Sequence, residues 1–400
     1  MNFVKRKKIT FFTNATAPYR TLQIRELSKI DGITIQVCYY EKKTRQWNIE
    51  KIGNDVEEKW LNMIPPFDGR IHWKLQLHKG LADIVRKSDI VISGSYYTIS
   101  DNVLVGLCKR YHKPFVLLMD GFEPHRIYEK ENGLKFHQKK WVLKNTSYIW
   151  GNGTVCREYY TKRFQYPAER IINQCLTVDV EKIAAHWTNR DSLREKIQNR
   201  YGIASGEHIV MYSGRLVKIK NVELLIRAVA ALADKEAYTV LIAGDGEMRA
   251  EYEKLAEELG VKLCITGFIK KQEELFEVYY AADCLVLPSV YDPWGLVINE
   301  AMAAHLPVIC TTYCGAGMDL IRDGFNGYVI QSLKPEELAE RVEECILHKK
   351  EWGEHSWEMI QDWTFAKSAE NFKELLFRLE QERLCDNRKR EGYKSGKIGR

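Results

Sequence analysis

Short apolar runs alternate with amphipathic stretches along the chain. KKITFFT (7–13), TIQVCYY (34–40), DIVISG (89–94), PFVLLMD (114–120) and SYIWGN (147–152) have the length and the β-branched, aromatic content of buried strands. Residues 18–29 lie between the first two with helical spacing, Leu22, Leu27 and Ile30 sharing one face; 79–87, 103–111 and 133–144 are similar stretches. Apolar runs separated by helices predict βαβ units and a parallel sheet covered on both faces. A polar helical segment, 179–200, interrupts the pattern, which then restarts. HIVMYSG (208–214), YTVLIAG (238–244), VKLCITG (261–267), DCLVLPS (283–289) and PVICT (307–311) are five more strands, each followed by a turn residue and a helix. Residues 335–379 read as helices, and the polar, basic 388–400 is expected to be a disordered tail.

The predicted fold class is therefore α/β, with two doubly wound parallel-sheet domains facing a cleft. The boundaries are 1–178 for an N-terminal domain, 179–205 for a linker helix and 206–350 for a second domain. Helices at 351–387 are expected to cross back to the first domain, ahead of the 388–400 tail. Length agrees, because 400 residues exceed what one hydrophobic core usually serves. With 45% hydrophobic and 28% charged residues, the composition excludes disordered and fibrous classes.

Charge changes the picture once the chain is divided. Residues 1–200 hold 35 Lys and Arg against 21 Asp and Glu, a net of +14, while the remainder hold 25 against 33, a net of −8. A basic first half suggests an anionic partner, membrane or nucleic acid, or simply a solubilising surface. The ten cysteines form no Cys-x-x-Cys pair, which fits a reducing cytoplasm. The apolar run near the N-terminus is too short for a signal peptide, and no stretch is long enough to span a membrane.

Ligands of open α/β sheets bind beyond the carboxyl ends of the strands, so the strand-end turns carry the candidate chemistry. In SGRLVKIKN (213–221), Gly214 is followed by Arg215, and Lys220 stands just before a helix. Two cations there make an anion site, although either could be a solvated surface charge. AGDGE (243–247) places Gly244 in a tight turn after a strand; it lacks the dinucleotide spacing, and no P-loop occurs. LPSVYDPWGLVINEAMAAHLPVICT (287–311) is the most informative segment. Its loop carries Asp292, Trp294 and Gly295, and the helix that follows carries Leu296, Val297 and Glu300. Free N–H groups at that helix start suit a diphosphate, and the two carboxylates suit vicinal sugar hydroxyls on either side of it.

This set resembles the nucleotide-sugar signature of family 4 retaining glycosyltransferases of the bacterial polysaccharide-biosynthesis type, which have the GT-B fold. The resemblance extends through Thr266-Gly267-Phe268, Asn299-Glu300-Ala301-Met302, Pro307-Val308, Asp323-Gly324 and Asn326-Gly327-Tyr328. It implies that Arg215 and Lys220 bind the donor diphosphate, that Glu300 binds ribose, and that Asp292 contacts the donor sugar. Gly295, Leu296 and Val297 would offer backbone N–H groups, and Gly267 and Phe268 would lie near the base. The family usually has Glu where this chain has Asp292, one methylene shorter, so the sugar is expected to sit differently. His305, where the family often has Gly, reads as structural. The first half matches more loosely: Asn14 and Arg20 follow the first strand, and Asp120, Glu123 and His125 follow PFVLLMD, all as acceptor-side candidates.

The expected activity is retaining transfer of a hexosyl unit from a UDP- or GDP-sugar to a hydroxyl of a glycan or lipid-linked glycan. No cofactor is expected besides this co-substrate, and no metal, because no Asp-x-Asp stands at a strand end. An epimerase or sugar phosphorylase on the same fold is the competing enzyme reading. A membrane or nucleic-acid binder without transferase activity is the other, and no RNA-recognition signature supports nucleic acid. The expected location is cytoplasmic, peripheral at an anionic membrane face through Lys5, Arg6, Lys7, Lys8 and the 139–144 cluster.

Overall fold

The computed structural model describes residues 6–14, 17–40, 51–66 and 73–395. Lys5 and residues 396–400, which the sequence reading used, lie outside them. Two parallel sheets form the body of the molecule. The first has the order β3-β2-β1-β4-β5-β6-β7. Its strands are β1 Lys7–Thr13, β2 Ile33–Tyr39, β3 Val56–Trp60, β4 Ile90–Ser93, β5 Phe115–Met119, β6 Tyr148–Gly151 and β7 Ile171–Asn173. The second has the order β10-β9-β8-β11-β12-β13. Its strands are β8 His208–Ser213, β9 Tyr238–Ala243, β10 Lys262–Ile265, β11 Cys284–Leu287, β12 Val308–Thr311 and β13 Gly327–Ile330. Both sheets are wound outward in two directions from their first strand, and the strand order reverses beside β1 and β8, where such folds place their ligands.

Burial on both faces explains the continuous apolar runs. In β1, Phe12 points into one core with Val91, Leu117 and Ile149, and Phe11 into the opposite one with Ile92, Val116 and Trp150. The second core is closed by the long C-terminal helix Phe365–Ser395, which lays Phe372, Leu375, Leu376 and Leu379 on the N-terminal sheet. The helix is anchored there by Gln23, whose amide donates to Ser368 Oγ at 2.7 Å, and by Thr177, whose hydroxyl bonds the Trp363 carbonyl. The expected disordered tail is corrected: the helix continues through 388–395. That stretch contains no proline and is rich in Lys, Arg and Glu, which are good helix formers, so a well-anchored helix can propagate through it.

Three strands, β3, β7 and β13, went unread in the sequence. β3 is an edge strand of sequence VEEKW with mostly exposed side chains, so it carries no apolar run. The basic clusters are also weaker than their composition suggests. Lys7 pairs with Glu380, Lys8 with Glu57 at 2.8 Å, and Lys139 is buried against Glu131 and the Tyr159 hydroxyl. Exposed cations remain at Arg6 and on the helix Gly133–Lys144, where Lys135, Lys140 and Lys144 stand beside Leu134 and Trp141. Among the described residues, no helix is long and apolar enough to cross a membrane.

Candidate active site

The site forms where the C-terminal ends of β8, β9 and β11 converge. Beyond β8, Gly214 adopts φ +141°, and its N–H donates to the Ala243 carbonyl at 3.0 Å. A Cβ on Gly244 would lie 1.9 Å from the Gly214 carbonyl oxygen, so the two turns nest only because Gly244 has no side chain. Gly246, the other glycine of AGDGE, is similarly constrained: its Cβ would sit 2.3 Å from the Leu216 carbonyl oxygen. The Leu216 N–H donates to the Asp245 carbonyl at 2.9 Å and completes the lock. Arg215 leaves this nest exposed, and the turn then tightens into a short 3₁₀ stretch, Lys218–Lys220.

Lys220 and Asp292 meet across the cleft floor at 2.5 Å, both side chains largely buried. The Val290 N–H donates to the Ile219 carbonyl at 2.9 Å, so the two loops carrying this pair are stitched together. Asp292 is further held by its own backbone: its carbonyl accepts from Gly315 at 3.1 Å, and its N–H donates to Tyr313 at 3.3 Å. Gly295 has φ +94° and lies against the Asp292 carboxyl and Leu287. The helix Leu296–Ala303 begins directly after it, and its first closing bond, Ile298 N–H to the Gly295 carbonyl, leaves the N–H groups of Leu296 and Val297 at the open end.

Glu300 sits one turn into that helix. Its Oε2 accepts from the hydroxyl of the fully buried Tyr279 at 2.5 Å. Burial pushes the Glu300 carboxyl up to about 7, and the Tyr279 bond offsets only part of that rise. Near the outer rim, Gly267 has φ +73°, a Cβ on it would lie 3.8 Å from both Arg249 and Asp245, and Phe268 is 56% exposed. The structure therefore brings Gly214, Gly244, Arg215, Lys220, Asp292, Gly295, Leu296, Val297 and Glu300 to one end of one sheet.

Trp294 is corrected. It is 3% exposed, its Nε1 donates to Asn299 Oδ1 at 3.0 Å, and its ring packs on Trp363 at 5.1 Å, so it is a core residue beneath the loop. From the sequence, its neighbours Pro293 and Gly295 suggested a cleft position; the partner that buries it comes from residue 363. Arg20 is corrected likewise. Buried at 5% exposure, it pairs with Asp120 and bonds Gln174 at 3.1 Å, so it positions Asp120 from below. Asp120 itself keeps 44% of its side chain exposed and accepts from Tyr19 at 2.9 Å. Glu123, 2% exposed and paired with Arg126 at 2.7 Å, is not available to an acceptor as it stands. His125 is partly exposed, 3.5 Å from Glu129 and with its ring 6.2 Å from that of Tyr313. Asn14 is exposed at the end of β1. His305 is structural, stacked between Trp187 at 3.7 Å and Trp357 at 4.9 Å.

The loop after β5 touches the donor-side loop directly. A Cβ on Gly121 would lie 2.4 Å from the Pro293 carbonyl oxygen, and one on Gly153 would lie 2.5 Å from Asp319. Asp319 accepts from the Thr154 N–H at 2.9 Å and from its hydroxyl at 2.7 Å. A carboxylate of the second domain thus caps the helix Gly153–Phe164 of the first.

Comparison with known proteins agrees with this geometry. Residues 193–360 match the family model described as glycosyl transferases group 1. An uncharacterized glycosyltransferase of Methanocaldococcus jannaschii is 34% identical over 169 residues, 42% of this chain and 41% of that one. The alpha-D-kanosaminyltransferase of Streptomyces kanamyceticus is 34% identical over 194 residues, 48% of each chain. The chain thus spans less than half the length of these curated relatives. The fold extends further: Anabaena HepE, solved with UDP and glucose, superposes with a TM-score of 0.68 over 93% of this chain and 100% of that one, at 19% identity. Residues 193–360 are thus similar to group 1 glycosyl transferases, and the two-domain fold is the GT-B fold of these structural neighbours.

Proposed function

We propose that this protein is a retaining glycosyltransferase. It would move a hexosyl unit from a UDP- or GDP-sugar to a hydroxyl of a glycan or lipid-linked glycan. The observation that carries this reading is the convergence of two cations, an open helix start and two carboxylates within one strand-end site, with Lys220 and Asp292 2.5 Å apart. In this reading the diphosphate lies against Arg215, Lys220 and the N–H groups of Leu296 and Val297. Lys220 stands between that charge and Asp292, whose carboxylate accepts from donor-sugar hydroxyls. Glu300 accepts from the ribose, and Phe268 offers its exposed ring to the base.

In transfer, the bond from the anomeric carbon to the diphosphate breaks and a bond to the acceptor oxygen forms on the same face. The departing phosphate oxygen takes the acceptor proton. Fixed cations and helix N–H groups stabilise charge on the leaving group without solvent reorganisation, so the reaction would proceed without added metal. Asp120, partly exposed and held by Arg20 and Tyr19 beyond β5, is the carboxylate placed to meet the acceptor. The relatives' names support the reaction class, and HepE's UDP supports the nucleotide.

The exposed basic and apolar face of Gly133–Lys144 supports a further part of the reading, peripheral binding to anionic lipid from the cytoplasmic side. The reading is tested by thermal stabilisation with a panel of UDP- and GDP-sugars, followed by transfer of labelled sugar in the presence of EDTA. No stabilisation by any nucleotide sugar would reject it.

A further inference from the structure

We propose that Tyr279 is the positioning residue of the nucleotide site, its phenol fixing the Glu300 carboxylate for the ribose. The inference rests on the reading of Glu300 as the ribose acceptor. Its own ground is geometric. Tyr279 lies on the helix Gln272–Ala281, distant in sequence from both loops of the site, with no exposed surface. Its phenol donates to Glu300 Oε2 at 2.5 Å.

Two consequences follow from chemistry. A carboxylate has two oxygens, and Tyr279 engages one, so Glu300 presents chiefly Oε1 to a ligand. A carboxylate with free rotation could accept from a diol in several ways; one fixed through Oε2 favours a single ribose orientation. The Tyr279 bond also favours the ionised carboxyl against burial, which favours the neutral one. Among the described residues the phenol is the side-chain group that favours the ionised Glu300 carboxyl, so Tyr279 keeps this buried acid available as an acceptor near neutral pH.

The experiment is isothermal titration of UDP, GDP, their 2′-deoxy and 3′-deoxy forms and inorganic pyrophosphate into wild type, Tyr279→Phe and Glu300→Ala. Tyr279→Phe keeps the ring and should fold; a melting curve checks this. It is expected to weaken the ribonucleotides about tenfold, to erase most of the preference for ribo over deoxy forms, and to leave pyrophosphate binding unchanged. The pH at which ribonucleotide affinity is half lost should move upward. A merely structural role would weaken pyrophosphate as much as nucleotide, and that result overturns the proposal. So does full ribo-over-deoxy preference in Tyr279→Phe while Glu300→Ala has lost it. If Glu300→Ala keeps the preference as well, the ribose reading falls, and this inference falls with it.

Discussion

Replacing Glu300 by Gln should stabilise the protein, and only above a definite pH. The carboxyl is buried beside Tyr279 and held at about 7, where an exposed glutamate would titrate near 4.5. Between those values the folded chain retains a proton that the unfolded chain has released. Wild-type stability from this group is therefore fully present below pH 4.5 and is lost as pH rises through about 7. The ionised form costs about 3 kcal/mol at pH 8.5. This is an upper bound, because part of the Glu300 surface still meets solvent in the cleft.

Gln carries no proton to lose, has nearly the same volume, and its amide oxygen can still accept from Tyr279. The variant and wild type should thus melt together at pH 4.5. The variant should gain progressively through pH 7 and hold a constant advantage above pH 8. In a domain of 150–250 residues, 3 kcal/mol corresponds to about 6–12 °C. Calorimetry of ligand-free protein at half-unit pH steps measures it. A gap that is constant across the range, or that closes as pH rises, would refute the reasoning. The same substitution should weaken nucleotide binding, so that stability and affinity move in opposite directions, as expected where a site holds a charge its surroundings disfavour.

Other outcomes follow from the same geometry. Lys220→Ala removes a fixed cation from the leaving group and strands Asp292, so transfer turnover should fall about 100- to 1000-fold, measured with labelled donor; full activity would remove Lys220 from the mechanism. Gly121→Ala puts a methyl 2.4 Å from the Pro293 carbonyl oxygen. It should part the two domains at the cleft, enlarging the radius of gyration in solution scattering while the melting of the second domain stays put. Leu134→Glu combined with Lys140→Glu should abolish sedimentation with vesicles containing anionic lipid, and wild-type binding should fall as salt rises; salt-insensitive binding would contradict an electrostatic attachment.

The fold was legible because its information is local. A buried parallel strand such as VLIA in β9 has to be continuously apolar, and the turn after it has to hold glycines where two backbones touch, as Gly244 does against Gly214. The Lys220, Asp292 and Glu300 positions were legible for a related reason: strand ends and a helix start fix where such residues point. What escaped notice depends on distant partners. Tyr279 reads as one more aromatic on a helix until Glu300 arrives from 21 residues away. Asp319 reads as a surface acid until Thr154, 165 residues earlier, supplies two donors. The neighbours of Trp294 and the charge of Arg20 pointed to the cleft, whereas Trp363 and Asp120, both remote in sequence, decided burial.

The donor-side loop is therefore more than a ligand surface. Asp292, which would meet the sugar, and Pro293, which meets the first domain, are consecutive residues. Pro293 is gripped from both sides: a Cβ would reach its carbonyl oxygen within 2.4 Å from Gly121 and within 2.2 Å from Gly315. Trp294 then carries the connection inward, its carbonyl accepting from Ala316 at 2.9 Å and its ring bonding Asn299, whose amide reaches the Leu176 carbonyl at 3.4 Å near the linker. Three neighbouring residues thus face the sugar pocket, the domain contact and the core. Separation of the domains would release the outer side of Pro293 and loosen the backbone that aims Asp292. Conversely, a ligand that pulls Asp292 away from Lys220 acts on the residue next to the contact. Asp292 and the domain contact are in this way tied through one stretch of backbone, and a side chain at Gly121 or Gly315 would collide with the Pro293 carbonyl oxygen at its centre.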